Sequence, residues 1–221
     1  MKTLRITGKG NAKVRPDTTR ITITLTGVLP EYGEALKKSS EDTGLLRKLL
    51  SGFGFEGSDL KTLGFSVDTA YESYRDHGVY KDRLAGYTWR QEMKVEFDSD
   101  RERLGKILYA LARCPAKPEF RISYTVKDPE AVKNELLIKA VADARAKAEA
   151  LAKAADLALG DIQTVEYSRS RIDLEISPVN RSIETGDMEK LVKLDAGAFD
   201  MDVEPDDIKA SDAVTVVWEI K

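Results

Sequence analysis

The sequence predicts an α+β fold in which antiparallel β-sheets pack against helices, one of them long and rich in alanine. Three observations carry this. Apolar and polar residues alternate at strand spacing in several runs, such as Ile21, Ile23 and Leu25, or Val214, Val216, Trp218 and Ile220. A well-capped helical pattern starts at Asp128-Pro129 and runs through the alanines of 140–152. With 42% hydrophobic and 33% charged residues, the 221-residue chain can bury a core beneath a heavily charged surface.

Along the chain, Leu4 and Ile6 alternate with polar residues up to an expected turn around Gly8 and Gly10. Ile21, Ile23 and Leu25 then alternate with Thr22, Thr24 and Thr26, so the two runs read as a hairpin. After Pro30 the spacing of Ala35, Leu36, Leu45, Leu46, Leu49 and Leu50 predicts a helix that stops at Gly52, with a polar patch at 39–43 and Gly44 in its middle. Residues 60–75 and 84–97 read as long strands. Phe65, Val67 and Tyr71 alternate in the first, and Tyr87, Trp89, Met93, Val95 and Phe97 in the second. The second strand's other face, Thr88, Arg90, Glu92, Lys94 and Glu96, is polar, as in a sheet covered on one side.

Asp98, Ser99 and Asp100 offer caps for a helix through Leu104, Ile107, Leu108 and Leu111, which stops near Cys114-Pro115. A strand through Phe120, Ile122, Tyr124 and Val126 follows. The long helix then takes Asp128 as N-cap, Pro129 at its first position and Gly160 as its stop. Its expected stripe is Leu137, Val141, Ala144, Ala148, Leu151, Ala155 and Ala158, with Asp143/Lys147 and Glu149/Lys153 as exposed ion pairs. So small a stripe lets the backbone lie close to the protein's own sheet or to a neighbouring subunit; the former is the expected use. A strand through Val165 and Tyr167 leads past Ile172, Leu174 and Ile176 to an acid-rich stretch, 177–210, expected to be an exposed excursion. The run from Val214 to Ile220 is the last strand.

One domain over 1–221 is expected, or two packed α+β halves at about 1–98 and 99–221. The net charge is −3, with basic and acidic residues interspersed, which speaks against nucleic acid as a partner. One cysteine, Cys114, and one histidine, His77, leave no internal disulfide and too few ligands for a structural zinc site, and no cofactor is expected. No segment approaches the roughly 18 uncharged apolar residues of a membrane span, and the first residues are polar. The cytoplasm is expected for the chain as it stands, and the periplasm or envelope if a leader has been removed.

Several constellations invite chemistry and are better read as structure. Gly52-Phe-Gly54-Phe-Glu-Gly57 has G-x-G-x-x-G spacing, but it follows a helix and precedes a strand, the reverse of a dinucleotide site. Gly8-Lys-Gly10 lacks the ending of a phosphate loop. His77 sits between two strands as a solvated loop residue, and Cys114 reads as a packing cysteine. Asp200, Asp202, Glu204, Asp206 and Asp207 lack the glycine and bidentate glutamate of an EF-hand and read as a solvated acidic loop. Tyr71, Tyr74, Tyr80, Tyr87 and Trp89 could line a groove; at strand spacing, core and cross-strand packing is the favoured reading. No catalytic, cofactor-binding or metal residue is assigned.

Local signatures along nearly the whole chain resemble the SIMPL family, formerly a domain of unknown function, with periplasmic and outer-membrane-associated bacterial members. They are Ile6-Thr-Gly8-Lys-Gly10 with Val14-Arg-Pro16-Asp17, Ala85-Gly86-Tyr87, the alanine-rich run from Ala140, Glu204-Pro205 to Ile208, and Val214-Thr-Val-Val-Trp-Glu-Ile220. The resemblance implies an α+β fold and assembly into large homo-oligomers. Some members are linked to oxidative stress and a mammalian member to kinase-associated signalling. It transfers no catalytic residues. The leading expectation is therefore a non-enzymatic, self-assembling protein. Its rivals are an enzyme or small-ligand binder using carboxylates and tyrosines of 60–97, and an adaptor that takes a protein partner through 177–210.

Overall fold

The computed structural model describes residues 2–168, 172–177 and 205–221. In chain order the elements are β1 (Thr3–Val14), β2 (Thr18–Leu29), α1 (Tyr32–Ser51), β3 (Lys61–Asp76), β4 (Val79–Asp98), α2 (Arg101–Ala112), β5 (Glu119–Thr125), α3 (Pro129–Ala154), β6 (Leu159–Glu166) and β7 (Ile208–Ile220). Both sheets are antiparallel in their described pairings, so the α+β prediction holds. The described residues form two compact units, one drawn from within Met1–Asp17, Tyr124–Ile176 and Pro205–Lys221, the other from Thr18–Ser123.

In the first unit the strand order is β1-β7-β6. β1 pairs along its full 12 residues with β7, from Thr3↔Glu219 to Val14↔Ile208. The expected β1–β2 hairpin does not form, because alternation declares a strand without naming its partner. The expected turn at Gly8 and Gly10 is also absent. Both glycines lie inside β1 beneath α3, where a Cβ on Gly8 would stand 2.0 Å from the Ala140 carbonyl oxygen and one on Gly10 1.9 Å from that of Leu136. They are glycines because the helix backbone occupies the space of a side chain.

α3 buries Val132, Leu136, Ala140, Ala144, Ala148 and Ala152, a strict four-residue repeat. The expected stripe was right at Ala144 and Ala148, but Val141 and Leu151 are exposed. The alanines pack with Val214, Val216 and Trp218 of β7. Fully burying such branched or aromatic side chains is worth about 2 kcal/mol each. Asp128 caps the helix, accepting from the Ala131 N–H at 2.9 Å. The helix closes at Ala155, ahead of the expected Gly160, which lies in β6. Asp143 pairs with Lys147 as expected, whereas Glu149 pairs with Arg145. The described part of 177–210 also ends sooner than expected, since β7 begins at Ile208 and Ala210 is buried within it.

In the second unit the order is β3-β4-β2-β5. β2 and β4 pair from Thr18↔Asp98 to Leu29↔Tyr87. Ile21, Ile23, Leu25, Trp89, Met93, Val95 and Phe97 form the inner face and pack with Leu46 and Leu50 of α1 and with Leu104, Ile107, Leu108 and Leu111 of α2. Asp100 caps α2 through the Arg103 N–H at 3.0 Å. Gly52 closes α1 and Gly54 turns the chain at φ 80°, so the Gly52–Gly57 run ends a helix as expected. The polar patch of α1 turns inward: Ser39 and Thr43 both donate to Gln91 Oε1 of β4, at 2.9 and 2.8 Å. Buried hydroxyls are tolerable there because an acceptor awaits them.

Candidate functional site

The feature of the second unit that its core does not explain is the outer part of the β3–β4 hairpin. A two-residue turn, His77-Gly78, with φ of 47° and 88°, closes it in the manner of a type I′ connection, whose twist matches that of paired strands. At Ala70↔Gly86 the register shifts, so that Tyr71 faces Leu84. Gly86 is in the positive-φ region, and a Cβ there would meet the Leu29 carbonyl oxygen at 2.3 Å. Glycine and bulge together let the ladder bend where it leaves the sheet.

Beyond that bend every described side chain is exposed. Tyr71 is 65% exposed, Tyr80 75% and Leu84 51%. Strand alternation assigns Tyr71, Ser73 and Arg75 to the same face of β3 as Phe65 and Val67; Leu84, Asp82 and Tyr80 sit opposite them. The core face thus extends into the arm as an uncovered mixed row, in which Tyr71, Leu84 and Tyr80 are interspersed with Ser73, Asp82 and Arg75. Polar cross-strand contacts hold the ladder: Ser73 donates to Asp82, Arg83 pairs with Glu72, the Arg83 guanidinium lies 5.4 Å from the Tyr74 ring, and that of Arg75 6.0 Å from Tyr80. Exposed pairs of this kind contribute only about 0.5 kcal/mol each, so they set register more than stability.

The outer face of the same sheet is charged and networked. Glu96 accepts from Arg20 Nε at 2.7 Å and Lys94 Nζ at 2.9 Å, and Arg121 donates to Glu92 at 3.0 Å. Burial pushes the Glu96 carboxyl up, but the hydrogen bonds and charges of Lys94 and Arg20 together outweigh it and hold the group below its ordinary value of 4.5. In the first unit, Asp143 is held low by its hydrogen bond from Lys147 and by one from the Lys9 backbone N–H at 2.7 Å. The latter occupies a donor on β1, an edge strand.

The residues singled out by sequence are dispersed. Tyr71, Tyr74 and Tyr80 are exposed on the arm, so for them the cross-strand part of the reading holds and the core part fails. The core part holds for Trp89, 1% exposed in the core, while Tyr87 is half-buried against Tyr32. His77 forms the turn and Cys114 is buried, both as expected. Asp206 and Asp207 are exposed, whereas Asp200, Asp202 and Glu204 lie outside the described residues. Among the described residues no three or more His, Cys, Asp or Glu gather in a way that could hold a metal ion. Nor is any helix among them long and apolar enough to cross a membrane. Sequence reasoning missed the Ser39–Thr43–Gln91 cluster; the signal was a polar patch on the sheet-facing side of a helix, opposite a glutamine at a core position of β4.

Helices pack on both sheets, and an exposed arm extends from one of them. These features define an α+β protein. The chain belongs to the SIMPL family, described as a protein of unknown function (DUF541), whose pattern it matches over residues 4–218. The 26 kDa periplasmic immunogenic protein of Brucella melitensis is 26% identical over 176 residues, covering 79% of this chain and 70% of the relative. Its counterpart in Brucella abortus (strain S19) has the same figures. The structure of CutA from Synechococcus elongatus is 15% identical and covers 58% of this chain and 95% of that one; its TM-score of 0.22 is too low to support any argument.

Proposed function

We propose that the protein is a non-enzymatic binding protein that assembles with copies of itself through the β3–β4 arm. One observation carries this reading: Tyr71, Leu84 and Tyr80, all exposed, continue a core face past the end of its core. A two-stranded ribbon is marginally stable alone in water, and covering these side chains supplies the missing burial. A second copy is a fitting cover because it offers the same row and the exposed edge of β3, the outermost strand of its sheet, to each partner. The printed names of the two Brucella relatives support the periplasm as the place of action.

Light scattering after size exclusion tests the assembly. The full chain should give a concentration-dependent mass above 24.6 kDa. Tyr71→Asp combined with Leu84→Asp should lower it to the monomer while leaving the circular dichroism spectrum unchanged. A wild-type protein that stays monomeric at millimolar concentration rejects the reading, as does an assembly that the double variant leaves intact.

A further inference from the structure

The outer face of the four-stranded sheet holds a cleft of about 270 Å³ lined by Thr22, Thr24, Arg90, Glu119, Phe120 and Arg121. At roughly 30 Å³ per water, that is room for a small organic molecule, and it falls just short of the usual range for drug-sized ligands. Its polar groups are unevenly committed. Arg121 is bound to Glu92. Among the described residues the Arg90 guanidinium, the Glu119 carboxylate and the hydroxyls of Thr22 and Thr24 have no hydrogen-bonding or ionic partner. Thr24 is only 6% exposed, so a polar side chain more than nine-tenths buried lines the cleft with its hydrogen-bonding capacity unspent.

Arg90 and Glu119 line one cleft and yet form no ion pair with each other. A simple dianion would meet Arg90 and be repelled by Glu119. A molecule with a carboxylate and an ammonium group on neighbouring carbons matches both. We propose that this cleft is a binding site for a small amino-acid-like zwitterion. Its carboxylate accepts from Arg90 and from the Thr24 hydroxyl, and its ammonium donates to Glu119. This site is independent of the arm and of assembly through it.

Amide chemical shifts of the isotope-labelled full chain, titrated with L-alanine and separately with propionate, test it. L-Alanine should produce saturable shifts at Thr22, Thr24 and Arg121, and propionate, which lacks the ammonium, should bind about tenfold more weakly. Arg90→Gln and Glu119→Gln, both at exposed positions, should each weaken L-alanine about tenfold. Thr24→Val, which keeps the shape and removes the hydroxyl, should weaken it several-fold. The proposal fails if L-alanine gives no saturable shift by about 100 mM, if propionate binds as tightly, or if Arg90→Gln binds like the wild type.

Discussion

Gly10 shows how much one missing side chain decides. The Leu136 carbonyl oxygen sits where its Cβ would be, so Gly10→Ala must push α3 away from β1. We expect a loss of about 3 kcal/mol, in the upper range for overpacking, read as a fall in the urea midpoint at unchanged slope. Alanine at Gly33, which has open space around it, is the control and should leave the midpoint close to that of the wild type. Glu96 sets a pH dependence. Its folded carboxyl titrates below 4.5, so the stability it contributes with Arg20 and Lys94 is complete above that value and is lost as the pH falls through the depressed one. Glu96→Gln should therefore flatten the fall in stability below about pH 4.5, measured by urea unfolding between pH 7 and 3.

At the scale of elements, the helix caps behave as local chemistry requires. Asp100 and Asp128 each accept a backbone N–H three residues on, and replacing either with alanine should cost about 1 kcal/mol in denaturant unfolding. The β3–β4 arm is the opposite case, since its ladder is intact but has no packing of its own. In dilute protein, amides of 71–84 should exchange with solvent well before those of Ile21 and Ile23, which lie in the core. Raising the concentration into the range of assembly should protect the arm selectively. Exchange that is equally slow throughout at low concentration would mean the ribbon is stable unaided.

For the whole molecule, the two units interleave along the chain. The second keeps β2, α1, β3, β4 and α2 within the continuous stretch 18–123, whereas the first draws β1 from the start, α3 and β6 from the middle and β7 from the end. Residues 18–123 should therefore fold alone, with dispersed amide shifts and a cooperative melt. A chain ending before Ile208 loses β7, the strand that both β1 and β6 pair with, and should leave the first unit unfolded.

Sequence by itself determined the class and most of the elements. Period-two alternation marked β2, β4 and β7, the Asp98-Ser99-Asp100 run and Asp128 announced their helices, and motifs spread along the chain pointed to the family. Such signals are legible because they depend on neighbours within about four residues. Only the tertiary structure decided that β1 pairs with β7, that α3 buries the Ala140–Ala152 line, that Gly8 and Gly10 make room for a helix, and that Tyr71 and Tyr80 stand outside the core. Each of these depends on a partner distant in sequence. A strand's pattern says that one face is to be buried, and the element that packs against that face says how far along the strand the burial extends.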